Sequence, residues 1–188
     1  MLTGAGLSTD SGIPDYRGPG SVPRQPMTAQ EFRSGPEARR HYWARTYVGF
    51  ARMGRAVPNA GHRALAAMDP ELLITQNVDN LHQKAGSRNV VEFHGNMLFA
   101  KCMECEKKYG YEQVISDLEI RFPPRCECGG ILKPDAVFFG EAIPQDALRK
   151  SFREAEDCDL MLVIGTSAQV EPAASLPLIA RGMNPLFR

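Results

Sequence analysis

Four of the five cysteines fall in two close pairs, and no other feature restricts the folding of this chain as tightly. Cys102-x-x-Cys105 is followed, after twenty residues, by Cys126-x-Cys128. No basic-then-apolar leader precedes Thr3, and in a chain without a secretion signal close pairs read as metal ligands rather than disulfides. Four thiolates complete a tetrahedral ion and leave no open position, so Cys102, Cys105, Cys126 and Cys128 predict a structural zinc site. Iron accepts the same four ligands, and free thiols are the remaining alternative. The one-residue gap of the second pair is tighter than usual but compatible with tetrahedral geometry. Cys158 stands apart and reads as a small buried apolar residue.

Around the cysteines, short apolar runs alternate with helical stretches. Residues 1–6 read as a strand stump entering a glycine turn, and residues 8–20, rich in Gly, Pro, Ser and Asp, as loop. Residues 28–53 and 59–68 have helical character. Leu72-Leu73-Ile74-Thr75 reads as a buried parallel strand before polar Gln76-Asn77, and Val90-Val91-Glu92-Phe93 as another that runs into His94. Residues 101–130 are polar and form an inserted module, after which residues 136–140 return to strand character. A charged helix over 144–156 starts at a proline, where the missing N–H costs nothing. Residues 160–164 then form an apolar strand that ends at Gly165-Thr166-Ser167. Strand–helix alternation with polar loops after the strands predicts an α/β fold on a parallel sheet.

The 188 residues, 43% hydrophobic, suffice for one domain with a small insert. Lys+Arg and Asp+Glu number 22 each, which predicts no direct nucleic-acid binding; any protein substrate is recognised locally. With no apolar run of about 18 residues, no spanning helix and no membrane partner are expected. The chain is expected to be a monomer in the cytoplasm. It opens almost inside a motif, at Met1-Leu2-Thr3-Gly4, and a missing preceding segment would leave a mitochondrial address open.

Several polar groups sit where open α/β sheets bind ligands, beyond the carboxyl ends of the strands. Gly4-Ala5-Gly6 suits either close approach to a pyrophosphate or a plain tight turn, and Thr9 stands where a third glycine would complete the usual dinucleotide pattern. Gln76, Asn77 and Asp79 offer amide and carboxylate groups for a ribose or carboxamide, or a helix cap. His94 suits general base work, with a satisfied structural histidine as the alternative. His41, His62 and His82 have no comparable setting and read as structural.

Taken together, these segments resemble the sirtuin family. The run from Thr3 to Gly18 (TGAGLSTDSGIPDYRG) is similar to its cofactor-loop signature, Thr75 to His82 (TQNVDNLH) to its second signature, and Phe93-His94-Gly95 to its catalytic-histidine motif. Lys133 to Glu141 (KPDAVFFGE) resembles the substrate-strand motif, and Gly165-Thr166-Ser167 the third nucleotide motif. All stand in family order, with the cysteines between the histidine and the substrate strand.

The resemblance implies a Rossmann-like domain over 1–27, 57–97 and 132–188, a helical insert over 28–56 and a zinc-ribbon module over 98–131. It implies an NAD-dependent protein-lysine deacylase: the acyl oxygen attacks the nicotinamide ribose, nicotinamide leaves, and a histidine activates a ribose hydroxyl against the former acyl carbon. Nicotinamide, free lysine and acyl-ADP-ribose are the products. His94 is then the base, Asn77 and Asp79 hold nicotinamide and its ribose with Gln76 beside them, and Gly4, Ala5, Gly6, Asp15 and Arg17 form the cofactor loop. Gly165, Thr166 and Ser167 meet the phosphates and the adenosine side. Val137, Phe138 and Gly140 pair main chain with an acyl-lysine peptide.

Tyr42 and Arg45 resemble a Tyr-x-x-Arg pair that marks sirtuins preferring acidic acyl groups, since Arg clamps a carboxylate in bidentate fashion. Their setting, Tyr-Trp-Ala-Arg, also resembles a mitochondrial class with weak deacetylation. Family members carry further strands after the third nucleotide motif, including an Asn-bearing segment; Asn184 is a poor equivalent, and the loop over 18–26 is short, which leaves open a truncated chain, a spliced one, or one without its mobile loops. Two other functions stay open: protein mono-ADP-ribosyl transfer, and a non-catalytic NAD-binding domain.

Overall fold

Two sheets with separate cores share the chain, which the computed structural model describes over residues 1–18, 21 and 25–182. Strand β1 (Leu2–Thr3) runs into a 3-10 helix, Ala5–Ser11. Helix α1 (Ala29–Ser34) starts at Thr28, which exchanges bonds with Glu31 in a capping box, and Pro36 then opens the long helix α2 (Pro36–Arg55). Asn59 and His62 cap α3 (Ala60–Met68) in the same reciprocal way. Next come β2 (Leu73–Thr75), the single turn α4 (Leu81–Lys84), β3 (Val90–Glu92) and the longer β4 (Gly95–Cys102). β5 (Lys108–Gly110), α5 (Tyr111–Ile120) and β6 (Leu132–Ala136) follow, then α6 (Gln145–Asp157), β7 (Val163–Ile164) and α7 (Leu176–Ala180).

The first sheet is parallel, in the order β3-β2-β1-β7. Leu2, Ile74, Val91 and Phe93 pack there against Ala155 of α6 and Leu176 of α7. The second sheet is antiparallel, in the order β5-β4-β6. Its core joins Cys102, Tyr109, Cys126 and Leu132 to Val114 and Leu118 of α5, to Phe32 of α1, to Trp43 of α2 and to Phe138. The zinc-ligand region and the helical stretch over 28–55 therefore share one apolar core. Among the described residues, no helix is long and apolar enough to cross a membrane.

Three expectations change. The loop expected from Ser8 is still 3-10 helix through Ser11, because Leu7 N–H bonds Gly4 O and Thr9 Oγ1 bonds Gly6 O. The strand expected over 136–140 lies at Leu132–Ala136 instead. Its partner β4 begins at Gly95, opposite Ala136, so the ladder ends there and the chain turns. Of the apolar run 160–164, only Val163 and Ile164 join the sheet, paired on one side to β1, and Leu160 is 74% exposed. The loop over 18–26 lies partly, and Asn184 wholly, outside the described residues.

Candidate functional site

From β1 the chain steps to β2 and β3 on one side, and β7 lies on the other. The loops after β1 and β7 therefore lie side by side at the carboxyl ends where the strand order reverses, the position where such sheets bind nucleotides. Small residues let the two loops touch: Gly6 N–H donates to Gly165 O at 2.8 Å, and a Cβ on Gly4 would stand 2.6 Å from Thr166 Cβ. Gln76 Nε2 donates to Thr166 Oγ1 at 2.9 Å, which joins the β2 loop to the β7 loop. Arg17 reaches Ser167 Oγ at 3.2 Å. Asp15 turns its own loop, accepting from Gly18 N–H and from Ser21 Oγ. Ala5 stands half-buried between Gly4 and Gly6.

Behind these loops lies a buried polar relay. Asn77 Nδ2 donates to Gly4 O at 3.0 Å and to Ser8 Oγ at 3.1 Å; Ser8 in turn donates to Asp79 Oδ2 at 2.6 Å. The other oxygen of Asp79 accepts Leu81 N–H at the start of α4, so Asp79 caps a helix and belongs to the site at once. Ser8 was not among the residues singled out from the sequence. It is fully buried, and its place in a Gly- and Ser-rich stretch looks like ordinary loop.

His94 follows β3 and faces the same loops. Its Nδ1 lies 3.2 Å from Gln76 O. A carbonyl can only accept, so Nδ1 carries the proton and Nε2 keeps its lone pair. Burial holds the pKa of His94 below the usual imidazole value, against the opposing pull of the Gln76 carbonyl. His62 and His82 behave differently. They are fully buried, with ring centroids 5.0 Å apart, and burial pushes His82 down to about 4; Thr3 Oγ1 meets His82 Nε2 at 2.9 Å.

Residues 4–172 match the Sir2 family. The chain belongs to the Sir2 family. An NAD-dependent protein deacetylase of Thermodesulfovibrio yellowstonii is 46% identical, over 95% of this chain and 73% of that protein. One from Thermotoga maritima is 44% identical, over 95% and 75%. An NAD-dependent protein deacylase of Aquifex aeolicus is 40% identical, over 96% and 77%. A Sir2 solved with a p53 peptide and NAD+ superposes with a TM-score of 0.88 at 44% identity, covering 97% of this chain and 76% of that one. A Sir2 bound to a propionylated peptide superposes at 0.83, with 42% identity and the same coverage.

In this sirtuin the four thiols converge. Cys102 and Cys128 stand 3.6 Å apart, and Cys105 lies 3.5 Å from both Cys126 and Cys128. Disulfide sulfurs would be about 2.05 Å apart. Zinc–sulfur bonds of about 2.3 Å at tetrahedral angles set neighbouring sulfurs about 3.8 Å apart, and all four sulfurs lie within 4.8 Å of one another, so the set fits zinc. The Tyr109 hydroxyl, 2.9 Å from Cys126 Sγ, favours the thiolate that a metal requires and holds that thiol down at about 6.

The sirtuin's substrate-strand motif forms a turn beside His94. Val137 N–H bonds His94 O at 2.9 Å. Both backbone groups of Phe138 are taken, its N–H by the Glu141 carboxylate and its carbonyl by Glu141 N–H. Gly140, at φ +85°, is exposed and has no hydrogen-bond partner among the described residues. Tyr42 packs its ring against Phe32 and Phe138, with centroids 5.5 and 5.0 Å away, and its hydroxyl lies 3.8 Å from Met97 Sδ. Burial pushes the Tyr42 phenol up to about 12. Arg45, one turn along α2, is exposed and has no ion-pair partner among the described residues.

Proposed function

We propose that this sirtuin removes acyl groups from protein lysine side chains at the expense of NAD, releasing nicotinamide and acyl-ADP-ribose, with His94 as the general base. The observation that carries the reading is the bond from His94 Nδ1–H to Gln76 O, which leaves Nε2 unprotonated on a side chain that is only partly buried. The names of the relatives, NAD-dependent protein deacetylases and deacylases, support the same activity.

Bound NAD supplies the electrophilic sugar carbon that accepts the acyl oxygen. Asn77 has both amide protons engaged, by Gly4 O and Ser8 Oγ, so its side-chain carbonyl is held in a set direction and can accept from a carboxamide or hydroxyl. Ser8 is the link that aligns Asn77 with Asp79, and the Asp79 carboxylate offers negative charge where positive charge develops on a ribose. Gly4, Ala5, Gly6, Asp15 and Arg17, with Gly165, Thr166 and Ser167 on the loop beside them, are the groups that would hold the rest of the dinucleotide. His94 Nε2 takes a proton from a hydroxyl, and Gln76 O keeps the imidazole oriented while it does so.

Two measurements follow. Purified protein should release nicotinamide from NAD only when an acyl-lysine peptide is present, tested with acetyl-, propionyl- and succinyl-lysine peptides in parallel. Peptide-independent release together with ADP-ribosylated protein would replace the reading by ADP-ribosyl transfer. For the acyl group, Arg45 is the residue able to clamp a carboxylate; a succinyl preference that disappears in Arg45→Met would assign it that role, and no preference would leave it on a solvated face.

The second measurement is the pH profile. The base must be neutral, and burial sets its pKa below the ordinary value of about 6.5. The rate is therefore lost as pH falls through that lowered pKa, so the acid limb of kcat/KM should lie below pH 6.5. An acid limb above 6.5 would contradict His94 as the base in this environment.

A further inference from the structure

The substrate-strand turn is held by a partly buried ion pair that the reaction itself does not use. Lys133 in β6 and Glu141 after the turn are each only 14% exposed, with Nζ 3.0 Å from Glu141 Oε2. A buried ammonium and carboxylate are costly to desolvate, and such a pair is retained at no net cost only where further hydrogen bonds satisfy both partners. Here they do. Lys133 Nζ donates to Pro134 O at 3.1 Å and to Ala136 O at 2.5 Å, and it lies 4.3 Å from the centroid of the Phe138 ring. Glu141 Oε2 also accepts Phe138 N–H at 2.9 Å, and its other oxygen faces Arg33 of α1 at 3.6 Å.

The pair decides which backbone groups of the turn point where. Glu141 occupies Phe138 N–H, and His94 O occupies Val137 N–H. Phe139 O is taken by Ala29 N–H at the start of α1. Gly140 remains exposed, in a left-handed conformation open to glycine, with nothing within 4 Å of where a Cβ would stand. A peptide strand added to this edge needs free donors and acceptors at fixed spacing. The same turn bonds the carbonyl of His94 through Val137 N–H, a contact that the ion pair does not make, so loosening the pair leaves the base in place.

We infer that Lys133 and Glu141 are positioning residues for peptide docking: the pair pins the turn over 137–141 so that its outward backbone is pre-set to pair with the acyl-lysine peptide. The inference rests on the reading of this site as that of a protein deacylase. It assigns neither residue a contact with the reacting atoms. Lys133→Met removes the charge at nearly constant length, and Lys133→Arg restores a cation that can reach the same carboxylate.

The test measures KM for an acetyl-lysine peptide, KM for NAD and kcat, together with direct binding of a fluorescent acetyl-lysine peptide. Lys133→Met and Glu141→Gln should raise the peptide KM and weaken direct peptide binding, on the order of tenfold. Their kcat and KM for NAD should change by no more than about twofold, and Lys133→Arg, which keeps the cation on a bulkier planar head, should recover part of the loss. Emission of Trp43, the single tryptophan and a member of the adjoining core, reports whether each variant has folded. Unchanged peptide binding in folded Lys133→Met and Glu141→Gln overturns the inference. So does a parallel fall of all parameters that Lys133→Arg does not repair, which would mark a merely structural pair. If the unaltered protein neither binds nor turns over any acyl peptide, the deacylase reading itself falls, and that outcome is distinct from both.

Discussion

His94→Ala should lower acyl removal by roughly 10²–10⁴-fold, the range that a positioned general base contributes, and leave the fold standing. Truncation deletes Nε2, and neither His62 nor His82 can replace it. His62 and His82 are fully buried, and His82 Nε2 is engaged by Thr3. The structural loss is small. His94 makes one side-chain hydrogen bond, to Gln76 O, worth about 1 kcal/mol. The backbone bonds on either side, Phe93 N–H to Thr75 O and Val137 N–H to His94 O, do not involve the imidazole. The measurement is peptide-dependent nicotinamide release alongside thermal melting and zinc content. Near-normal turnover by His94→Ala would remove the base from the mechanism. A collapse in melting temperature would instead mean that the imidazole is a core residue.

Removing zinc is the change expected to cost most in stability. Structural zinc in small modules contributes on the order of 10–16 kcal/mol of binding free energy, and that energy is folding energy. Even a third of it, about 4 kcal/mol, shifts the melting midpoint of a chain this size by roughly 8–16 °C. The effect should not stay local, because Cys102 and Cys126 belong to the same core as Phe32, Trp43, Leu132 and Phe138. Trp43 is 2% exposed and its Nε1 donates to Leu132 O at 3.3 Å. Chelation should therefore shift Trp43 emission to longer wavelength as this core opens. The parallel-sheet core around Leu2, Ile74 and Leu176 is a separate cluster and should unfold later. An unchanged melting curve and unchanged Trp43 emission, after zinc loss has been verified by metal analysis, would show that the four thiols hold no structural ion.

The metal site was readable from local sequence because its ligands sit on two tight turns, and close spacing alone brings each pair together. The placement of the loops was readable for a related reason: a polar or glycine segment directly after an apolar run lies at a strand's carboxyl end wherever the sheet is parallel. Strand extents were less readable. The run over 160–164 is apolar enough for a full strand, yet only Val163 and Ile164 pair, because pairing depends on the neighbour and not on the run itself. The strand expected over 136–140 was displaced for the same reason, since its partner β4 begins at Gly95. The side-chain bonds that Ser8, Lys133 and Glu141 make had no signal in spacing or apolar pattern.

By itself the sequence determined which chemistry was available: four thiolates at ligand spacing, a histidine and three amide or acid side chains after short strands, and a family signature that orders them. Only the tertiary structure decided how those groups face one another. It set Ser8 against Asp79, 71 positions away, gave the His94 Nδ1 proton to Gln76 O, and closed the Lys133–Glu141 pair beside the turn over 137–141. The physical reason is the range of the interactions involved. Turn preference and ligand type act within a few residues, whereas a hydrogen bond needs its donor and acceptor within about 3 Å and in line, and for groups so far apart in sequence only the packed sheet and its loops bring that about.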